Sequence, residues 1–191
     1  RARALSGLIA ARIGELIERA EGCALIHMAE RREPSAAGLP TLRQPSQLAA
    51  SSEAWLAGLV EATRDLSFAV IVADMAQPGA KLVCVNPAFE ELTGYAASEA
   101  VGQNCRFLQG EDTEQEAVLQ LVESIRAAEP VQLELTNYRK DGSRFRNLLS
   151  LQPVRDSLGV YRYSIAVLAD VDTLPQLELV RCLLPCWFDA S

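Results

Sequence analysis

Histidine is nearly absent from this sequence: of 191 residues only His27 is one. Metal and nucleophile–base sites need several convergent partners, so a lone imidazole on a helix reads as a solvated or half-buried side chain. Long apolar runs are missing too. None approaches the roughly 20 residues that span a bilayer, and the longest, Leu177 to Phe188, is broken by Glu178, Arg181 and Pro185. Positive charge is in deficit, with 18 Lys and Arg against 25 Asp and Glu and a net charge of −7. That balance argues against an electrostatic grip on nucleic acid or on an anionic membrane. No charged stretch followed by an apolar run and a cleavage site opens the chain, and with no initiating Met it reads as a fragment or trimmed piece. Neither a nucleophile–base pair nor a phosphate-cradling glycine loop is evident, so no enzyme is expected.

Five cysteines, Cys23, Cys84, Cys105, Cys182 and Cys186, form no disulfide framework in a chain of this size. The expectation is a reducing, cytoplasmic protein. Cys182 and Cys186 lie four apart, but Pro185 stands between them and no ligand cluster is near. Packing or an oxidation-prone tail is the default there, not a metal site.

What is present is a chain able to bury a core, at 49% hydrophobic and 23% charged residues. Leu5, Leu8, Ile9, Ile13, Leu16, Ile17 and Ala20 recur at helical spacing, predicting an amphipathic helix over 1–32. Its seam of Ile9, Ile13, Leu16, Ala20 and Cys23 has coiled-coil spacing. Pro34, Gly38, Pro40 and Pro45 mark 33–47 as a linker. A flanking helix over 48–67 is capped near Ser51-Ser52 and carries Trp55, Leu56, Leu59, Val60 and Leu66.

From Phe68 the rhythm changes. Phe68 to Asp74 and Lys81 to Val85 are short β-like runs around the turn Gln77-Pro78-Gly79. Asn86-Pro87 opens a helix that Gly94 stops, and Glu114 to Ala128 has helical periodicity. Val131 to Lys140 and Arg144 to Pro153 flank an Asp141-Gly142 turn, a strong hairpin signal. A second turn, Asp156 to Gly159, leads into Tyr161 to Asp170. Two strands, helices, then three strands in succession predict an α+β domain over 68–171: a five-stranded antiparallel sheet with helices on one face, followed by a tail over 172–191. If Asp141-Gly142-Ser143 forms the hairpin loop, Lys140 faces Arg144 and Asn137 faces Asn147, setting two amides side by side.

The run Gly102-Gln103-Asn104-Cys105-Arg106-Phe107-Leu108-Gln109-Gly110 places a thiol beside a cation and two amides. An adjacent Arg favours thiolate, which makes Cys105 a candidate reactive cysteine; taken alone, a buried packing cysteine fits as well.

This run closely resembles the signature of the LOV (light-oxygen-voltage) domains, the flavin-binding branch of the PAS superfamily. The likeness covers Phe68 to Asp170. It takes in Asn86-Pro87-Ala88-Phe89, Thr93-Gly94-Tyr95, the Asn137 to Gly142 hairpin and Asn147-Leu148-Leu149. The resemblance implies a blue-light photoreceptor with flavin mononucleotide (FMN), in which Cys105 bonds the flavin ring reversibly at C4a. Asn104 and Gln109 then match residues that bond the ribityl chain, and Arg106 the arginine at the phosphate. Asn137 and Asn147 match the asparagines on the pyrimidine edge. Phe89, Leu108, Leu149, Leu151, Ile71 and Ile165 are expected as apolar walls, each equally readable as plain core.

Three positions depart from the family. Leu168 stands where a glutamine usually bonds flavin O4 and N5. A leucine can do neither, so an ordered water or a backbone carbonyl is expected to accept the N5 proton instead. Val122 replaces a second phosphate-binding arginine, which implies weaker cofactor retention. Ala73 replaces a threonine near the ring. The flanking helices are expected to mediate a homodimer and carry the signal, with an effector domain outside this sequence. A flavin-based redox sensor and a cofactor-free PAS interaction module remain the alternatives.

Overall fold

The computed structural model describes residues 56–155 and 159–173. The expected N-terminal helix, linker, start of the flanking helix, most of the Asp156 to Gly159 turn and all of the tail beyond Thr173 lie outside the described residues, as do His27, Cys182 and Cys186.

A helical stretch at residues 56–62 precedes strands β1 (Ala69–Asp74) and β2 (Lys81–Val85). Helix α1 (Pro87–Thr93) begins where Asn86 caps it, accepting from the Phe89 N–H at 3.2 Å. Pro87 has no N–H to lose at the first position, and Gly94, at φ 74°, ends the helix in the left-handed region. Then come helix α2 (Ala97–Ala100), a 3₁₀ turn (Cys105–Leu108), helix α3 (Gln115–Ala127) and strands β3 (Val131–Tyr138), β4 (Arg144–Arg155) and β5 (Tyr161–Asp170). The five strands form one antiparallel sheet in the order β2-β1-β5-β4-β3.

The sheet buries both faces. Ile71, Phe89, Leu108, Leu133, Leu135, Leu149, Leu151 and Leu168 belong to an inner cluster, joined by Leu92 of α1 and Leu121 and Ile125 of α3. Val70, Val72, Leu148, Val154, Ile165 and Val167 face the other way and pack with Leu56 and Leu59 of the preceding helical stretch and with Leu66 beyond it. This is why burial runs without alternation over residues 147–151 of β4 and 164–170 of β5. The helices between β2 and β3 thus cover one face, as expected, while the flanking segment covers the other.

The β3–β4 hairpin turns one residue earlier than its sequence suggests. Tyr138 pairs with Arg144, so Asn137 faces Phe145 and Asn147 faces Leu135. Gly142 decides this. In a three-residue hairpin loop the left-handed position comes last, and Gly142 takes it at φ 83°. The loop is therefore Lys140-Asp141-Gly142, closed by Gly142 N–H to Arg139 O at 3.0 Å and Arg139 N–H to Ser143 O at 2.8 Å. Among the described residues no helix is long and apolar enough to cross a membrane.

Candidate functional site

The cysteine run is held against the free edge of β2. Leu82 N–H donates to Gln103 O and Gly102 N–H to Leu82 O, each at 2.8 Å, and Lys81 pairs with Asn104. Asn104 then caps the 3₁₀ turn, its Oδ1 accepting from the Arg106 N–H at 2.9 Å. Its Nδ2 donates to Gly79 O. Cys105, first residue of the turn, packs against the inner cluster beside Phe107, and Leu108 is fully within it. Phe107 meets the Tyr95 ring edge-on at 4.8 Å.

One expectation about Cys105 reverses. Arg106 is exposed and turns its Nε to Asn104 Oδ1 at 3.2 Å. Apolar surroundings dominate instead: burial pushes the Cys105 thiol up to about 12, because the charged form loses its hydration. At neutral pH this residue is a protonated thiol, not a thiolate. Cys84 on β2 is raised to about 12 for the same reason.

Asn137 and Asn147 come together, though not as directly opposed residues. They sit one diagonal step apart on the inner face, where side chains of adjacent strands still meet. Asn147 Nδ2 donates to Asn137 Oδ1 at 2.8 Å, and Asn147 Oδ1 accepts from the Ala169 N–H at 3.2 Å. Asn137 Nδ2 reaches the Thr136 carbonyl at 3.2 Å. Both are buried, at 4% and 1% exposure. Two amides with donors and acceptors thus border an otherwise apolar face.

Of the predicted apolar walls, Phe89, Leu108, Leu149, Leu151 and Ile71 all lie in the inner cluster, with Leu168 between Ala69 and Leu149. Ile165 does not. It is three positions from Leu168, and strand alternation turns it to the outer face with Val167 and Val154. Ala73 packs at the inner rim, and Val122 is half-buried on α3. Gln109 ends the 3₁₀ turn, its N–H donating to Arg106 O at 2.9 Å. A cavity of about 280 Å³, walled in part by Ala88, Leu92, Arg139, Leu168 and Asp170, opens where β5 ends. Its floor holds an Arg139–Asp170 ion pair at 2.6 Å.

The donor set suits a flat heteroaromatic ring: amides for a polar edge, aliphatic and aromatic side chains for its faces, a thiol beside it. Sequence reasoning missed the 3₁₀ turn, whose four residues are too few to show a period. Asn104 was the available signal, since Asn is a preferred cap.

Residues 68–172 match the family model described as a PAS domain, and the chain belongs to that family. A solved LOV domain from an Erythrobacter litoralis blue-light activated histidine kinase is 43% identical; the match covers 56% of this chain and 97% of that one, with a TM-score of 0.54. Within the PAS family, then, this is a LOV domain. Two longer relatives agree: blue-light-activated histidine kinase 2 of Erythrobacter litoralis is 43% identical over 58% of this chain and 32% of its own length. A blue-light photoreceptor of Listeria monocytogenes is 40% identical over 61% and 47%. The chain spans less than half the length of these curated relatives.

Proposed function

We propose that the protein is a blue-light sensor in which Cys105 is the photoactive residue and FMN the chromophore. The carrying observation is the half-buried Cys105 packed against the apolar face that Asn137 and Asn147 border, where desolvation raises its thiol. Bound FMN would supply a light-excitable ring able to accept a sulfur and a proton reversibly, and Cys105 is the residue that would hold both.

The chain's own residues do the rest. Desolvation keeps Cys105 protonated in the dark, so a sulfur and a proton are both on hand. Asn137 and Asn147 grip the pyrimidine edge, and Phe89, Leu108, Leu149, Leu151 and Ile71 exclude water from the ring faces. Arg106, exposed on the 3₁₀ turn, exchanges its bond to Asn104 for a terminal phosphate. Asn104 and Gln109 flank that route and bond the ribityl chain, the former exchanging its present local partners. Leu168 offers the ring only an apolar contact. The role is sensing without turnover, in a cytoplasmic protein. Flanking helices join two copies and pass the change to an effector domain, as the kinase relatives' names suggest.

Absorption spectra of the FMN-loaded protein test this. Blue light is expected to bleach the oxidised flavin bands, with recovery in darkness, and Cys105→Ala is expected to lose that cycle while still binding FMN. A wild-type chain that binds FMN but gives no reversible bleach refutes it. Leu168 favours one second reading, a flavin redox sensor, because no side-chain amide answers N5 there. Its mark is a spectral change on chemical reduction that relocates the flanks in Cys105→Ala as in wild type.

A further inference from the structure

Asn86 does more than cap α1. It is 2% exposed, and all four of its side-chain hydrogen-bonding positions are used. Its Oδ1 accepts from the Val70 N–H at 2.8 Å and the Phe89 N–H at 3.2 Å. Its Nδ2 donates to Thr63 O at 3.0 Å and Phe68 O at 3.2 Å. An asparagine amide has two donors and an acceptor oxygen with two lone pairs, so nothing is left over. One amide therefore joins the end of the flanking helical segment, the start of β1 and the first turn of α1. Thr63 is itself fixed from behind, its Oγ1 bonded to Leu59 O at 2.8 Å. Phe89, one helical turn away from Asn86, is wholly buried in the inner cluster, whereas Leu59 lies in the outer one. Asn86 thus links the two faces of the sheet past the start of β1.

We propose that Asn86 is a positioning residue that transmits displacement of α1 to the flanking segment at residues 56–66, by way of its two Nδ2 bonds. The proposal rests on the light-sensor reading above for its trigger, but not for the tether itself. A shift of Phe89 moves the Phe89 N–H and with it Asn86 Oδ1. Because the amide is planar, Nδ2 must turn as Oδ1 does, and the carbonyls of Thr63 and Phe68 follow or are released. No side-chain polar group at Leu168 is needed for this route.

The experiment separates the two ideas. Amide hydrogen exchange is measured on the full chain, flavin-free and FMN-loaded, dark and lit, for wild type and Asn86→Asp. The substitution keeps the Oδ1 cap but turns two donating contacts into repulsion between oxygens. In the flavin-free protein, amides of residues 56–66 are expected to exchange at least tenfold faster in the variant than in wild type, while β3 and β4 are unchanged. In the loaded protein, light is expected to change exchange at 56–66 in wild type and to leave it unaltered in the variant, although both still bleach. Equal flavin-free protection overturns the tether; an undiminished light response at 56–66 in a bleaching variant overturns the relay. Absence of bleaching in wild type strikes the sensor reading alone. Should Asn86→Asp fail to fold, the Asn86 side-chain amide protons of wild type serve instead. Their NMR signals are expected to shift on illumination together with Thr63 and Phe68, and static Asn86 signals beside responding flanks refute the proposal.

Discussion

Gly110→Ala is expected to destabilise the domain through one aromatic ring. A Cβ built on Gly110 falls 2.6 Å from Tyr138 Cδ2 and 2.8 Å from its Cζ, and is in contact with Cε2 as well. The ring cannot simply step aside. Its hydroxyl accepts from the Asp112 N–H at 2.9 Å and donates to Asp112 Oδ2 at 2.8 Å, so both ends of the side chain are held. Overpacking of this kind costs about 1–3 kcal/mol. Against it stands the loss of unfolded-chain entropy, which favours Ala over Gly by about 0.4–1 kcal/mol. The net expectation is a destabilisation centred on about 1 kcal/mol, read as the shift in urea midpoint at constant slope. Adding Tyr138→Leu removes the ring, so the double variant should be less destabilised than the two singles sum to, by about 1 kcal/mol. A Gly110→Ala protein as stable as wild type, or strictly additive singles, refutes the reasoning.

The other expectations concern the site. Asn147→Leu removes the bonds to Asn137 and the Ala169 N–H, and should cost about 1–3 kcal/mol in flavin-free protein by urea denaturation. Leu168→Gln buries an amide among apolar residues, so flavin-free protein should lose about 1–3 kcal/mol, much of it recovered on loading with FMN; a variant equally destabilised in both states speaks against a ring beside Leu168. The thiols of Cys84 and Cys105 are both raised from 9.0 to about 12. A raised folded pKa contributes stability that is whole below the unfolded value and is lost as pH rises through the folded one. Melting temperature should therefore begin to fall from these thiols above about pH 9, and thiol alkylation of the dark folded state should stay slow between pH 7 and 9.

The strand pattern was legible because its signals are local. Asn86-Pro87 and Gly94 delimit α1 within its seven residues, and Asp141-Gly142 announces the hairpin. Register was harder. A shift of one residue in the turn depends on which loop position Gly142 occupies, and only its φ decides that. The error for Ile165 has a different origin: β5 is apolar on both faces, so hydrophobicity alone does not assign a side chain to either, and counting from Leu168 was needed. The Cys105 protonation state was not legible at all. Adjacency to Arg106 in sequence says nothing of where the guanidinium points, whereas enclosure by distant strands sets the thiol. Interactions such as Gly110 with Tyr138, or Arg139 with Asp170, join residues 28 and 31 positions apart without any local mark.

The strand order carries a consequence for how such a domain is built into larger proteins. β1 and β5, the first and last strands among the described residues, are neighbours and antiparallel, with Ala69 opposite Leu168. Entry and exit of the polypeptide are therefore about one strand spacing, roughly 5 Å, apart. A host protein accepts such a domain at a surface loop with almost no separation of the loop's own ends, and the closed gap keeps the linking entropy small. The same closeness means that a relative slide of β1 against β5 acts as a shear across the insertion point, delivered to both connecting segments at once.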